Sequence, residues 1–427
     1  MLDYIFNPQS VAIIGASNDA SKWGNWFAED LNQHNDRRSV YVIGKDQSIR
    51  SIAEPLDLAV VCVPIYSFEN TIDELLEHGT RAIVAITTGF GEKGNSELEQ
   101  RIANKVAAAG SILIGPNCAG VWDAYSPLHC LPIGNFIPGN VSVISQSGGV
   151  IVDLAYRLRE IGMGYSKAIS VGNQSAVSCE LLLQELEHDP NTKLIAMYYE
   201  NVSLIPFKYI STIRKPVMLY VPWATDAAVR AALKHTNSKI VVAVNVARTM
   251  MEFVAAIQLA LSNQPKPPSK RTMLVTDSGG LGVIMCTAAE FNSLLIDEPS
   301  EELKLRIAQV ISPQSTASNP IDLVGKSAGF SIDAINVMRI LQQSDEIDCI
   351  IATLHMDSDD PSDYQRGVEL AQIVRAGGKA TIFTCVNFNL PGVRALLDNN
   401  IPVLRDAEIA AGIMNMFCSE IDTDLVQ

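Results

Sequence analysis

The chain has 427 residues, which is long enough for several domains that each bury a core. Hydrophobic residues make up 48% of it and aromatic residues only 6%, so small aliphatic side chains dominate, as suits parallel strands covered by helices. The formal net charge of −15 argues against a nucleic-acid-binding surface, because such surfaces need clustered Lys and Arg.

The first ten residues, MLDYIFNPQS, lack the basic flank and long apolar core of a signal peptide. No apolar run approaches the roughly 20 residues of a membrane span. We therefore expect a cytoplasmic protein that does not enter a membrane. The eight cysteines are scattered without a CxxC pair, which predicts buried thiols and neither a disulfide framework nor a metal site.

Short Val/Ile-rich runs alternate with helix-like segments from the N-terminus, the βαβ rhythm of a doubly wound parallel sheet. In the helix-like segment TIDELLEHG, Ile72, Leu75 and Leu76 share one face. The predicted first domain covers residues 1–125. Its strands are VAIIG (11–15), VYVIG (40–44), LAVVCVP (58–64), AIVAIT (82–87) and ILIG (112–115).

A bridge rich in Pro and Gly (126–139) leads to a second series, predicted as a domain over 138–262, and the Pro-rich linker SNQPKPPSKR (262–271) precedes a third over 270–427. The sequence thus predicts an α/β protein of three doubly wound domains. The later strands are VSVIS (141–145), AISVG (168–172), LIAMYYE (194–200), VMLYV (217–221), TMLVT (272–276), CIIATL (349–354), TIFTCV (381–386) and IPVL (401–404).

The loop after the first strand, residues 15–24, can hold a phosphate. Its backbone N–H groups precede a helix, while Ser17 supplies a hydroxyl and Lys22 a positive charge between Gly15 and Gly24. It is not GxGxxG, and a plain strand-to-helix turn remains an alternative.

A second loop, SQSGG, follows VSVIS and opens an apolar helix. Its two Gly residues allow an anion to approach free N–H groups at the positive end of the helix dipole. The alternative is a capping Ser with Gly for close packing. A third loop, DSGGLG (277–282), repeats the design, but Asp277 would repel a phosphate, so binding and structural roles both stay open.

Seven motifs in order then carry a resemblance that covers nearly the whole chain. They resemble the α subunit of the ADP-forming acetyl-CoA synthetases, relatives of succinyl-CoA synthetase. The resemblance implies an N-terminal Rossmann-like domain that binds coenzyme A, followed by two flavodoxin-like domains. The motifs are QSVAIIGAS (9–17), GPNCAGVW (115–122), SQSGG (145–149), VGNQSAV (171–177), IAMYYENV (195–202), the AAxxHT element (231–236) and SNPIDLVG (318–325).

The resemblance also implies roles for individual residues. The residues near the phosphates of coenzyme A would be Gly15, Ser17, Lys22 and Gly24. Val63 and Pro64 would lie near its pantetheine, and Asn117 and Cys118 would lie near its thiol. The loop that holds the transferred phosphoryl group would comprise Ser145, Ser147, Gly148 and Gly149.

His235 matches the histidine that is transiently phosphorylated, and Glu200 matches the carboxylate that orients it. A neutral imidazole is a competent phosphoryl acceptor, and a carboxylate on its other nitrogen fixes the tautomer. The alternative is that His235 simply ends the helix-like stretch DAAVRAALK, where the helix dipole favours a histidine.

The sequence departs from the family at four places. The loop after His235 is shorter than usual, Val221–Thr225 replaces a Lys-x-Gly-Arg-Ser pattern, and the acidic pattern after Gly172-Asn173 is weakened to Gln174–Ser178. Gly44-Lys45-Asp46 also replaces an Asn-Pro-Lys pattern on the adenine side of the coenzyme A site. These departures affect the phosphohistidine path more than the coenzyme A loops.

The leading hypothesis is therefore an acid–thiol ligase that takes coenzyme A and a small carboxylate or an acyl-CoA. The family's ATP-grasp domain has no counterpart in the sequence, so ATP or ADP with magnesium would bind to a partner β subunit, and we expect an oligomer. Alternatives are an acyl or carbamoyl transferase without the histidine relay, and a non-catalytic coenzyme A sensor. A nicotinamide dehydrogenase, with Asp46 on the ribose, is disfavoured because GxGxxG is absent.

Overall fold

A computed structural model describes residues 2–34, 38–126, 128–222, 244–325, 328–354, 360 and 362–418. The chain divides into two compact units, residues 1–159 with 163–248, and residues 160–162 with 249–427. The first unit contains two sheets and the second contains one. All three sheets have parallel strands joined by helices, which confirms the predicted α/β fold.

The first sheet has the order β2-β1-β3-β4-β5, with every neighbouring pair parallel. Each of the five predicted runs forms one strand. The strands are β1 Ser10–Ile14, β2 Ser39–Ile43, β3 Leu58–Val61, β4 Ala82–Ala85 and β5 Ile112–Ile114. The helices that precede or connect them are α1 Asp3–Phe6, α2 Trp23–His34, α3 Ile65–Glu77 and α4 Ser96–Ala108.

The strand β1 shows why these runs are almost wholly apolar. Val11 and Ile13 belong to one buried core cluster, whereas Ala12 and Ile14 belong to another. Because the sheet is covered on both sides, its strands need no polar face. In α3, the predicted face is also confirmed, since Ile72 and Leu75 are fully buried and Leu76 packs against the same cluster.

The second sheet has seven strands in the order β12-β11-β10-β8-β9-β6-β7. Its first five are parallel, and β6 and β7 add an antiparallel edge. The strands are β6 Val121–Asp123, β7 Leu128–Cys130, β8 Pro138–Ser145, β9 Tyr165–Ser170, β10 Leu194–Tyr198, β11 Val217–Tyr220 and β12 Val244–Ala247. The helices are α5 Gly148–Glu160, α6 Cys179–His188 and α7 Phe207–Ile210.

The antiparallel edge differs from the predicted Pro/Gly-rich bridge over 126–139. That segment contains β7 and the start of β8, and β6 pairs with β9 of the second sheet although it falls inside the predicted range 1–125. Both edge strands have only three residues, too few for alternation to be recognised. They are stabilised from outside the segment, for example by the ion pair of buried Asp123 with Lys167 of β9 at 2.6 Å.

The second unit contains a five-stranded parallel sheet in the order β14-β13-β15-β16-β17, the 2-1-3-4-5 order of flavodoxin-like domains. The strands are β13 Thr272–Thr276, β14 Ile321–Asp322, β15 Cys349–Thr353, β16 Ala380–Thr384 and β17 Val403–Leu404. The helices are α8 Met250–Leu261, α9 Gly279–Phe291, α10 Glu301–Ala308, α11 Ile332–Gln342, α12 Ser362–Ala376, α13 Pro391–Asp398 and α14 Ala407–Cys418.

The cysteines confirm the prediction of buried thiols. All eight are free; six are buried, and Cys62 and Cys286 are half-buried. Among the residues that the structure describes, no group of three or more His, Cys, Asp or Glu side chains is placed to hold a metal ion. No helix within the described ranges is long and apolar enough to cross a membrane.

Candidate functional site

Two glycines shape the loop after β1. Gly15 has φ +89°, and a Cβ there would lie 2.9 Å from the carbonyl carbon of Cys62. At Gly24, near the start of α2, an added Cβ would lie 2.3 Å from the carbonyl oxygen of Gly15. Any side chain at either position would therefore collide with backbone. The two glycines let the loop pack tightly between the end of β3 and the start of α2.

The polar groups of this loop bond mainly to one another. Ser17 Oγ accepts from the backbone N–H of Asp19 at 3.1 Å, and Asp19 accepts from the N–H and hydroxyl of Ser21. These hydrogen bonds from Ser21 hold the pKa of Asp19 below its usual range. Lys22 Nζ lies 3.8 Å from the Asp19 carboxylate, and both side chains are largely exposed. Asp19 therefore offsets part of the positive charge that the sequence assigned to the loop.

A cavity of about 650 Å³ lies between the loops after β1 and β2. Its lining includes Ser17, Asn25, Glu29, Gly44 and Lys45. The side-chain oxygen of Asn25 is buried there and has no hydrogen-bond partner among the residues that the structure describes. An unsatisfied buried amide oxygen beside an open polar cavity is the kind of group that a polar ligand satisfies. Asn25 and Lys45 were not assigned as binding residues from the sequence, because only the fold brings these two residues to the same cavity.

The positions predicted for the pantetheine lie next to this loop. Val63 follows β3, and its Cγ1 lies only 3.0 Å from where a Cβ on Gly15 would be. Pro64 is exposed and directly precedes α3. Gly15 and Val63 thus flank the point between β1 and β3 where the strand order of the sheet reverses, which is where open α/β sheets bind ligands.

The predicted thiol-end loop, residues 115–118, is anchored by Thr87. The Asn117 N–H donates to the carbonyl of Thr87 at 3.0 Å, and the Thr87 hydroxyl donates to the carbonyl of Val63 at 2.7 Å. Asn117 has φ +57°. Cys118 is buried, its S–H donates to the carbonyl of Ala85, and burial raises its pKa to about 12. The Cys118 thiol thus lies in the core, and only its backbone can face a ligand.

The phosphoryl loop, residues 145–149, forms a tight turn at the end of β8. The Ser145 hydroxyl donates to the carbonyl of Ser147 at 2.7 Å and accepts from the Ser147 N–H at 3.1 Å. A Cβ on Gly148 would lie 2.4 Å from the Cβ of Ala119, whereas one on exposed Gly149 would meet no atom of the described residues closer than 3.7 Å. Close packing explains Gly148, whereas the described part of the chain leaves space in front of Gly149.

The thiol-end loop and the phosphoryl loop meet through the segment that follows β9. Val171 N–H donates to the carbonyl of Ser145 at 2.8 Å, and the Ser170 hydroxyl accepts from Ala119 N–H at 2.9 Å. Gly172 has φ +53°, and a Cβ there would lie 2.3 Å from the carbonyl oxygen of Pro116. Three loops that are distant in sequence therefore lie side by side at the ends of β5, β8 and β9.

Glu200 lies next to the phosphoryl loop and is exposed. Its N–H donates to the side-chain oxygen of Gln146 at 2.6 Å, and its carboxylate accepts from the Tyr198 hydroxyl at 3.2 Å. Burial, with the nearby charge of Glu200, raises the pKa of Tyr198 to about 12. His235 lies outside the described residues, as do residues 223–225 of the divergent segment 221–225.

The third glycine loop, in the second unit, repeats the turn of the phosphoryl loop. Thr276 hydroxyl donates to the carbonyl of Ser278 at 3.0 Å and accepts from its N–H at 3.1 Å. A Cβ on Gly279 would lie 3.2 Å from the carboxylate of Asp322. The local turn is shared, but a carboxylate lies at the start of this helix, which disfavours a bound anion.

Together, the parallel sheets and their glycine-containing strand-to-helix loops are typical of an α/β protein that binds a phosphate-bearing cofactor at the carboxyl ends of its strands. Two family models match the chain. The coenzyme A binding domain matches residues 9–123, and the succinyl-CoA ligase-like flavodoxin domain matches residues 138–259.

Curated relatives extend the match over most of the chain. The α subunit of acetate–CoA ligase (ADP-forming) II from Pyrococcus furiosus is 30% identical over 378 residues, which cover 82% of each chain. The α subunit of the isoenzyme I from the same organism is also 30% identical, over 78% of each chain. An acetate–CoA ligase from Methanocaldococcus jannaschii is 30% identical over 76% of this chain but only 49% of its own length.

Solved structures share the fold. A crystal structure of a Pyrococcus horikoshii protein is 26% identical, with a TM-score of 0.81 and 99% of both chains covered. The dinucleotide-forming acetyl-coenzyme A synthetase 1 of Candidatus Korarchaeum cryptofilum, solved with phosphate and ADP, has a TM-score of 0.77 at 24% identity and covers 98% of this chain.

These matches confirm the resemblance that the sequence motifs indicated. The chain belongs to the family of α subunits of the ADP-forming acyl-CoA synthetases. The predicted class of enzyme, an acid–thiol ligase, and the predicted coenzyme A binding domain are confirmed with it.

Proposed function

We propose that this chain binds coenzyme A and a small carboxylate, such as the acetate of its relatives, and interconverts them with acyl-CoA through an acyl phosphate. The observation that carries the proposal is the contact between the thiol-end loop and the phosphoryl loop through residues 170–172. A thioester and a phosphate held by adjacent, rigidly connected loops gain most of the benefit of proximity and orientation.

In this proposal coenzyme A binds across the first sheet. Gly15, Ser17, Lys22 and Gly24 surround its phosphates, and the cavity beside Asn25 and Lys45 receives its adenosine end. The pantetheine passes Val63 and Pro64 to the thiol-end loop. There Asn117 and the backbone of Cys118 contact the thiol end, since the Cys118 side chain is buried.

The phosphoryl loop supplies the electrostatic stabilisation. Phosphate bound in front of Gly149 accepts hydrogen bonds from the N–H groups at the start of α5. Ser145, Ser147 and Gly148 shape the turn. A phosphate oxygen attacks the thioester carbonyl, the carbon–sulfur bond breaks, and coenzyme A leaves as the thiol after taking a proton. The acyl phosphate then gives up its phosphoryl group and leaves the carboxylate.

His235 accepts that phosphoryl group in the proposed relay, and Glu200 orients the imidazole. A partner subunit with an ATP-grasp domain then passes the group to ADP with magnesium. The position of Glu200 supports this role, because two contacts, from Gln146 and Tyr198, fix it at the edge of the phosphoryl loop.

Labelled ATP tests the relay directly. The full chain is incubated with γ-labelled ATP, with and without its ATP-grasp partner, and acid-labile, base-stable label is measured. We expect label on the wild type only with the partner, none on His235→Asn, and slower labelling of Glu200→Gln with unchanged coenzyme A affinity. Label that persists in His235→Asn would assign the phosphoryl group to another residue.

A second candidate is an acyl transferase that has lost the relay. The shortened loop after His235 and the substitution of the usual cations by Val221–Thr225 favour it. This candidate predicts acyl transfer between coenzyme A and a second acceptor that is unaffected in His235→Asn. Dependence of acyl-CoA formation on both His235 and ATP would exclude it.

A further inference from the structure

Asn173 connects two carboxylates to the thiol-end loop. Its side-chain N–H₂ donates to Glu92 Oε2 at 2.8 Å and to Glu99 Oε2 at 3.1 Å, and its side-chain oxygen accepts from Asn117 Nδ2 at 3.1 Å. Its backbone N–H donates to the carbonyl of Pro116 at 3.0 Å. Both donors and the acceptor of this side chain are thus in use.

The two carboxylates are themselves fixed by the turn after β4. Glu92 Oε1 accepts from the N–H groups of Gly89 and Phe90, at 2.5 and 3.2 Å, and Glu99 Oε2 accepts from Gly91 N–H at 2.7 Å. Burial opposes ionisation of Glu92, but the hydrogen bonds from Asn173 and these backbone groups outweigh it and lower its pKa. Glu92 is therefore a charged acceptor in a set position.

Asn117, at the other end of the connection, is held at both its backbone and its side chain. Its φ of +57° is left-handed, a conformation that is uncommon for non-glycine residues although Asn tolerates it better than most. The Thr87 carbonyl holds its N–H, and Asn173 holds its side chain. Within the described part of the chain, the Asn117 side chain makes no other hydrogen bond.

We propose that Asn173 is a positioning residue, which transmits the fixed position of Glu92 and Glu99 to Asn117 and so sets the thiol-end loop against the phosphoryl loop. It acts through Asn117 and touches no reacting atom. The inference rests on the proposed function, because it gives the alignment of these two loops a role in acyl transfer. It also links the turn after β4 in the first sheet to the segment after β9 in the second sheet.

The variant Asn173→Asp tests it. The substitution keeps the shape of the side chain but removes both donors and places a third carboxylate against Glu92 and Glu99. We expect kcat for acyl-CoA formation, measured with the full chain and its ATP-grasp partner, to fall about tenfold to a hundredfold. The Kd for coenzyme A should change less than about threefold, since the loop after β1 is untouched.

A paired substitution provides rescue. In the double variant Asn173→Asp with Glu99→Gln, the new amide can donate to the new carboxylate through one nitrogen while its oxygen turns to Gly91 N–H. The connection is thereby restored at residue 99 with donor and acceptor exchanged, whereas the contact with Glu92 stays repulsive, so the rescue is partial. We expect kcat to recover at least threefold over Asn173→Asp alone. Asn104→Asp on α4 is the matched control, because Asn104 is exposed and its side-chain oxygen accepts from exposed Gln100, so the kcat of this variant should equal that of the wild type.

Amide hydrogen exchange provides a readout that does not depend on activity. In Asn173→Asp, without ligand, the amide of Asn117 should exchange about tenfold faster, while amides within α5 keep the wild-type rate. If Asn173→Asp does not fold, Glu92→Gln and Glu99→Gln take its place, each with a smaller acceleration at Asn117 and a smaller loss of kcat.

The outcomes separate the two proposals. One outcome is that the wild type is active, and that Asn173→Asp, or both Glu→Gln variants, keep the wild-type kcat and the wild-type exchange rate at Asn117. That result would overturn the positioning role and leave the proposed function standing. A second outcome is that the wild type makes no acyl-CoA with its partner, while the amide of Asn117 exchanges faster in Asn173→Asp and not in Asn104→Asp. That result would confirm the mechanical connection and remove its proposed purpose.

Discussion

The side-chain oxygen of Gln146, in the phosphoryl loop, accepts the backbone N–H of Glu200 at 2.6 Å and that of Asn201 at 3.0 Å. Gln146 N–H in turn donates to the carbonyl of Tyr198 at 3.1 Å. The loop that would hold phosphate and the carboxylate that would orient His235 are therefore parts of one hydrogen-bonded assembly.

Gln146→Ala should consequently lower kcat about tenfold, because two N–H groups lose their shared acceptor and Glu200 loses its position. The KM for coenzyme A should change little. Steady-state kinetics with the proposed ATP-grasp partner measures both quantities. Gln184→Ala, on the exposed side of α6, is the matched control. A wild-type kcat in Gln146→Ala would mean that Glu200 needs no such support.

The two glycines of the phosphoryl loop should respond differently to substitution. Gly148→Ala places a Cβ against Ala119 and should reduce the free energy of unfolding by about 1–3 kcal/mol. Gly149→Val projects into open space, so stability should change by less than about 1 kcal/mol while phosphate binding falls. Urea unfolding and phosphate titration distinguish the two. Unchanged phosphate binding in Gly149→Val would leave this loop a packing turn only.

Charge in the loop after β1 should tune coenzyme A affinity in both directions. Lys22→Ala should weaken binding about two- to fivefold, because an exposed cation–phosphate pair is worth up to about 1 kcal/mol. Asp19→Asn should tighten it, since a carboxylate that stays ionised is removed from the phosphate site. Calorimetric titration at low salt measures both. Equal affinities for the wild type and Lys22→Ala would place the phosphates elsewhere.

A buried ion pair stabilises the antiparallel edge of the second sheet. Lys167 pairs with Asp123 at 2.6 Å and with Asp189 at 3.5 Å, and all three side chains are buried. Lys167→Met should therefore lower the free energy of unfolding by about 3 kcal/mol at neutral pH, because it leaves buried carboxylates without their cation. Lys208→Met, at an exposed lysine, should have little effect.

The difference in free energy of unfolding between the wild type and Lys167→Met should become smaller as the pH falls. Burial opposes ionisation of Asp189, but Thr192, Lys167 and Ser166 together keep its pKa below the usual 3.8. A depressed carboxyl pKa stabilises the fold above the unfolded-state value and ceases to do so as pH drops through the folded value. Urea unfolding at neutral pH and at about pH 3 measures the change. A pH-independent difference would show that the lost ion pair is not the cause.

The strands could be predicted from sequence because parallel strands covered on both faces must be nearly continuous apolar runs, as in VAIIG and TMLVT. The edge strands β6 and β7 could not, because three residues show no periodicity and their partners, such as Lys167, lie far along the chain.

The candidate site divides in the same way. Gly15, Gly148 and Gly149 could be proposed as site residues from the sequence because a glycine after a buried strand is a local signal. Asn173, Thr87 and Asn25 could not be proposed, since their places in the candidate site depend on segments that are tens of residues apart in the chain. The motif VGNQSAV pointed to the segment that contains Asn173 but not to its bonds with Glu92 and Glu99. The role of His235 stays a prediction.

The account depends most directly on coenzyme A binding to the first sheet. Isothermal titration of the full-length chain with coenzyme A, and in parallel with NAD, measures it. We predict saturable heat with coenzyme A, a matching rise in the unfolding temperature, and no response to NAD. Binding of NAD with no heat and no stabilisation from coenzyme A would contradict the account.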